Sequence, residues 1–154
     1  MRGKKFRFSL QSVLRLRQHQ TEQAAEALAQ VMHARLQLEQ QLAQAQQELE
    51  HLESLLVLEQ RALDPLQLRR YEAHWLSAKR QLRKLEHQLE RLRQQEAEAR
   101  QQVLACHQAE ASLERLRDHQ KAQHLQAELA AENAWIDEHA TGAYVRKHLH
   151  PRMP

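Results

Sequence analysis

Two long stretches in which an apolar side chain recurs every three or four residues, separated by one proline, constrain this chain more than any other feature. The first runs from Leu28 through Val31, Arg35, Leu38, Leu42, Ala45, Leu49 and Leu52 to Leu56. The second runs from Tyr71 through Trp75, Ala78, Leu82, Leu85, Leu89, Leu92, Glu96, Ala99, Val103, Cys106 and Glu110 to Leu113. Alternating steps of three and four keep such side chains on one stripe of an α-helix, and a stripe that narrow is buried by a second helix carrying another. Eight of nine positions in the first run and eleven of thirteen in the second are apolar. Stepping backward from Leu28 reaches Ala24, Thr21, Arg17, Leu14 and Leu10, so the first helix extends toward the N-terminus with a more polar seam.

Pro65 decides how the two stripes meet. It lacks a backbone donor and disfavours helical geometry at Asp64, while Asp64 can cap the helix that follows. The chain is therefore expected to turn at about 63–66, between helix 1 at about 8–62 and helix 2 at about 67–140. The predicted fold is all-α: a long antiparallel two-helix coiled-coil hairpin forming a single domain over 1–140, with a basic, disordered tail at 141–154 after a helix stop at Thr141-Gly142. Arms of ~50 residues would be ~75 Å long, a monomeric rod rather than a body with a pocket. Folding back about residue 64 pairs positions whose numbers sum to about 128 to 131, which sets Arg35 near Glu96 and Arg17 near Glu110. Such pairs can mark the register of an otherwise apolar seam. Long side chains that simply reach out to water would leave the same sequence pattern.

Composition closes off other architectures and most chemistry. Leu, Gln, Ala, Glu and Arg fill 105 of the 154 positions, while Val, Ile and Thr together number eight, too few to build a sheet. No glycine lies between Gly3 and Gly142, which excludes a glycine-rich phosphate loop, a nucleophile elbow and a dinucleotide fingerprint. Cys106 is the single cysteine, so neither an internal disulfide nor a cysteine zinc site can form. The eleven histidines include no helical pair with a third ligand converging on it, and His148-Leu149-His150 offers at most adventitious metal capture. Carboxylate pairs such as Glu48 with Glu50 and Glu96 with Glu98 read as solvated helix surface. No catalytic residue, metal or cofactor is expected, and no stretch approaches the roughly 20 apolar residues of a bilayer span. The expectation is a soluble, cytoplasmic, non-enzymatic protein that does not insert into membranes.

The net charge of +3 is unevenly spread: residues 1–17 carry +6, residues 146–154 carry +3, and 18–145 therefore carry −6. Overall basicity thus does not predict a nucleic-acid binder. Two regions hold more apolar side chains than a two-stranded seam needs. Around the turn are Leu55, Val57, Leu58, Leu63, Leu66 and Leu68, followed by Tyr71, His74 and Trp75. Near the chain ends Phe6, Phe8, Leu10, Val13, Leu14 and Leu16 interleave with the basic cluster, opposite Leu113, Leu116, Leu125 and Leu129 and then Trp135 and Ile136. Both read as partner sites. A membrane-surface anchor at the basic N-terminus is the weaker reading, because that segment has a helix to pair with.

The opening Phe6-Arg7-Phe8-Ser9-Leu10-Gln11-Ser12-Val13-Leu14-Arg15-Leu16-Arg17 resembles the start of the FliJ family of flagellar export proteins. The closing Leu113-Glu114-Arg115-Leu116-Arg117, with Glu128, Glu132 and Ile136-Asp137-Glu138-His139-Ala140, is similar to the end of the same family. The resemblance implies a hairpin like the central stalk, or gamma subunit, of rotary ATPases, in a cytoplasmic component of the flagellar type III export apparatus at the inner face of the cell membrane. It implies partners: the hexameric export ATPase at the end carrying both termini, the membrane export gate toward the turn, and export chaperones, with motility and chemotaxis depending on them. Residue by residue, it places ATPase contacts at Phe6, Phe8, Leu10, Val13, Leu14, Arg15, Leu113, Leu116, Arg117, Glu132, Asp137 and Glu138. Gate contacts fall at Tyr71, His74, Trp75 and Ala78, where Trp75 meets the family spacing only loosely. The equivalent stalk of a virulence secretion system and a structural coiled-coil scaffold are the alternative readings.

Overall fold

The computed structural model describes residues 3–59 and 61–149. It is an all-α helical hairpin of two helices, α1 (Gln11–Glu59) and α2 (Pro65–Leu149), with no strand among the described residues. The contacts divide the chain into two compact units, each holding part of both helices. One is His19–His107, and the other joins the chain up to Gln18 with the chain from Gln108 onward.

In the His19–His107 unit the turn follows from its two ends. The Glu59 carbonyl accepts the N–H groups of Ala62 at 2.9 Å and Leu63 at 3.1 Å, tightening the last turn of α1. Pro65 is the first residue of α2 and the Asp64 carbonyl accepts the Leu68 N–H at 2.9 Å. Proline suits the first helical position because the N–H it lacks has no partner there in any case. That places the start of α2 two residues before the expected 67 and the end of α1 three residues before the expected 62.

Every seam position from Leu28 to Leu56 and from Tyr71 to Cys106 is buried or half-buried. Leu38, Leu85 and Leu89 form the centre, with Leu42, Ala45 and Leu92 packed on it. Burying a leucine is worth roughly 1.5–3 kcal/mol, and the seam repeats that gain on nearly every turn. Polar contacts that cross between the helices include the Trp75 indole N–H donating to Glu53 at 3.1 Å, Arg35 meeting Glu96 at 2.5 Å, and Arg100 Nη2 lying 4.0 Å from Met32 Sδ. Their residue numbers sum to 128, 131 and 132, so the antiparallel register is the one expected from a fold about residue 64.

Glu96 is a buried charge in this seam. Besides Arg35 it accepts from Arg100 at 2.8 Å, and Arg35 also donates to Glu39 at 2.8 Å. Arg35 and Glu96 are therefore paired across the interface rather than turned out to water. The hydrogen bond from Arg100, with Arg35 adding to it and burial opposing, holds the Glu96 carboxyl below its ordinary value. Hydrogen bonds to Glu39 and then Glu96 raise the Arg35 guanidinium against desolvation.

In the chain-end unit Leu14 is fully enclosed and Phe8 is buried. Arg17 is exposed while Glu110 is half-buried, so the seam is more open here. The helix stop expected at Thr141-Gly142 is absent: α2 continues to Leu149. Gly142 lowers helix stability by about 1 kcal/mol relative to Ala but removes no backbone donor, and it does not adopt positive φ. The Thr141 hydroxyl donates back to the Asp137 carbonyl at 2.7 Å and Arg146 Nε to the Gly142 carbonyl at 3.2 Å, bonding that fits helix. The remainder of the expected tail, 150–154, lies outside the described residues.

Two outcomes are expected. Leu14→Ala lowers the free energy of unfolding by about 2–4 kcal/mol through lost burial and a cavity, whereas Leu16→Ala, at a site 54% exposed, changes it by less than about 0.5 kcal/mol; urea titration followed by circular dichroism measures both. The depressed Glu96 carboxyl adds stability that is complete above its ordinary value of 4.5 and is lost as pH falls through its lower folded value. The gap in Tm between the parent chain and Glu96→Gln should be widest above pH 5 and narrow toward pH 3. A gap constant across that range would show that the carboxylate is not held this way.

Candidate partner-binding surfaces

Residues 3–10 precede α1 as a non-helical strap in the chain-end unit. The Phe8 carbonyl accepts the Gln11 N–H at 3.2 Å and the Leu10 carbonyl accepts that of Leu14 at 2.9 Å, so the strap feeds directly into the helix. His124 of α2 fastens it. Its Nε2 lies 2.8 Å from the Lys4 carbonyl oxygen and 3.2 Å from Glu128 Oε1, and its ring sits 5.6 Å from that of Phe6. Two acceptors on one side of the ring favour the tautomer with its proton on Nε2. At Gly3 a side chain would press on the Glu128 carboxylate, so the strap passes there as bare backbone.

Around this clasp the twelve chain-end residues singled out from sequence separate into two sets. Phe8 and Leu14 are buried, and Phe6, Leu113 and Arg117 half-buried. Leu10, Val13 and Leu116 are exposed by 37, 37 and 38%, an apolar patch at the edge of burial. Arg15, Glu132, Asp137 and Glu138 are exposed. The Arg117 Nε is 3.4 Å from Asp118, its immediate neighbour. Phe8 and Leu14 are thus core, whereas Leu10, Val13 and Leu116 stay open to solvent.

Of the four turn-side residues, Tyr71, Trp75 and Ala78 are half-buried and His74 is exposed. Trp75 is held by its bond to Glu53 and by Lys79, whose Nζ lies 4.2 Å from the ring centroid, a cation–π arrangement that fixes the indole plane. At the turn Val57, Leu58 and Leu66 are 77, 81 and 58% exposed.

The last turns of α2 carry two aromatic–histidine pairs, the second of which, Tyr144 with His148, falls in the stretch expected to be tail. The Trp135 ring lies 3.9 Å from that of His139, and Tyr144 stacks on His148 at 4.2 Å. Each histidine bonds the carbonyl of its aromatic partner through Nδ1, at 2.9 and 3.2 Å. An aromatic residue followed four positions later by histidine, occurring twice, was the available signal, since residues four apart share a helix face. Trp135, Ile136 and Tyr144 are about half exposed or more. Among the described residues no three of His, Cys, Asp or Glu are placed to hold a metal, and no helix is long and apolar enough to cross a membrane. Cys106 is half-buried in the seam with Gln102 Nε2 at 3.6 Å.

Compared with known protein families, residues 6–149 match the one described as flagellar FliJ protein. The chain has no significant match among curated proteins or solved structures.

His124→Ala should release the strap without unfolding the helices. Limited trypsin digestion, read by mass spectrometry, is expected to cut after Lys4, Lys5 and Arg7 several times faster than in the parent chain, at unchanged helicity. Equal cleavage rates would show that His124 does not fasten it.

Proposed function

Because the chain belongs to the FliJ family, and so is a component of the flagellar export apparatus, we propose that it serves there as a non-enzymatic stalk that binds the hexameric export ATPase through its chain-end unit. Leu10, Val13, Arg15, Leu116, Glu132, Asp137 and Glu138 make the contacts, and Phe6, Phe8, Leu14, Leu113 and Arg117 hold them in place. What carries the reading is the exposure of the apolar side chains Leu10, Val13 and Leu116 in the chain-end unit of a chain matched to this family from 6 to 149. Interfaces concentrate their energy in such apolar centres with polar rims.

Tyr71, His74, Trp75 and Ala78 form the surface for the membrane export gate, and export chaperones are further partners. The protein acts as a monomeric hairpin on the cytoplasmic side of the cell membrane, and motility and chemotaxis depend on it through flagellum assembly. A single asymmetric stalk in a ring of equivalent subunits touches each differently, which favours sequential hydrolysis if its affinity differs among the ring's conformations. The flagellar family match favours this role over the corresponding stalk of a virulence secretion system or a general scaffold.

The triple variant Leu10→Ala, Val13→Ala, Leu116→Ala should weaken association with the export ATPase at least about tenfold. Its circular dichroism should match that of the parent chain, because these side chains lie at the edge of burial. Unchanged affinity, measured by calorimetry, would remove the patch from the interface.

A further inference from the structure

The His19–His107 unit differs in charge between its two helices. In a heptad the positions one, two and five residues after the first seam position face away from the partner. On α1 these outward positions, from Ala29 to Leu58, hold no lysine or arginine; half of them are Gln or Ala, and Glu50 is the one acid. On α2 the outward positions from 69 to 91 hold Arg69, Arg70, Arg80, Arg83, Lys84 and Arg91 against one acid, Glu90. All six cations are exposed, and none forms an ion pair among the described residues.

Solubility does not require this. A helix face that only needs to stay in water interleaves both signs, and the outward positions of α1 from 29 to 58 do without lysine and arginine. Like charges three and four residues apart, as at Arg80, Arg83 and Lys84, destabilise the helix that carries them. An arrangement that works against its own helix points outward, to a counter-charge.

We propose that this face of α2 docks on an anionic lipid bilayer through the headgroup phosphates. Residues 69 to 91 span about 33 Å of straight helix, and a straight row of cations can meet a plane along its whole length at once. The phosphates of a nucleic-acid duplex wind away from such a row after a few contacts. The outward positions from 69 to 91 hold no aromatic residue on which single-stranded bases could stack. They do hold Leu76, 49% exposed, and the same face begins with Leu66, 58% exposed. Apolar side chains set among arginines suit the boundary between headgroups and acyl chains, and the guanidinium fork is matched to phosphate oxygens. The contact is peripheral, since no described helix can cross the membrane, and it is independent of the ATPase surface proposed above.

Co-sedimentation of the full chain with vesicles tests this. At 0.1 M salt the protein should pellet with phosphatidylglycerol–phosphatidylethanolamine vesicles, remain in the supernatant with phosphatidylcholine, and be released as salt rises. Arg80→Gln, Arg83→Gln, Lys84→Gln together should weaken binding about a hundredfold, from the contribution of each basic residue near an anionic surface. Lys4→Gln, Lys5→Gln, Arg7→Gln should stay within about threefold of the parent chain, and Glu90→Lys should bind more tightly. All of these positions are exposed, and circular dichroism confirms that each variant is folded. Equal pelleting with phosphatidylcholine, full binding by the α2 triple variant, loss of binding in the N-terminal variant alone, or displacement of the vesicles by duplex DNA at equimolar phosphate would each overturn the proposal.

Discussion

A helix that carries a leucine every third or fourth residue is not stable alone in water, and this chain has one other such helix to cover it. The seam centred on Leu38, Leu85 and Leu89 is therefore the contact on which the other features rest. Apolar packing by itself tolerates slippage by a heptad, because one leucine fits much where another did. The ion pair of Arg35 with Glu96, braced by Glu39 and Arg100, does not tolerate it. A slipped hairpin would set Glu96 against leucines and cut it off from Arg35, leaving it only Arg100 of its own helix. Hydrophobic burial thus holds the helices together, and one buried polar cluster chooses the register.

Within the chain-end unit the strap of residues 3–10 lies against His124 and Glu128. The strap is short and non-helical, and without that clasp its backbone would gain little from lying on α2. Fastened there, it carries Phe6 against the His124 ring and buries Phe8, and the edge residues Leu10, Val13 and Leu116 stay exposed.

Much of the fold was legible in the sequence because coiled-coil periodicity is a local code: each seam residue announces itself by spacing, and every one between Leu28 and Leu56 is at least half-buried. Asp64-Pro65 marked the turn because proline has so few places to sit. The end of α2 was misread at Gly142, where the cost of glycine is small against the bonding of Thr141 and Arg146 around it. The His124 clasp was not legible at all. It joins residues 120 positions apart, and neither partner belongs to a pattern that period or composition would flag.

The amino-acid sequence alone determined that this protein is helical, that it turns near Pro65, that Arg35 and Glu96 are close, and that its ends resemble one family. These are consequences of spacing and of residue types with narrow conformational choices. Only the tertiary structure decided which residues near the ends are core and which are surface, since Phe8 and Val13 look equally apolar in sequence yet one is buried and the other is not. It likewise decided that Tyr144 lies on continuous helix and that the six outward cations between 69 and 91 of α2 have no ion pair among the described residues. Burial and pairing depend on what the opposite helix brings to each position, and that is settled by register, which no single segment contains.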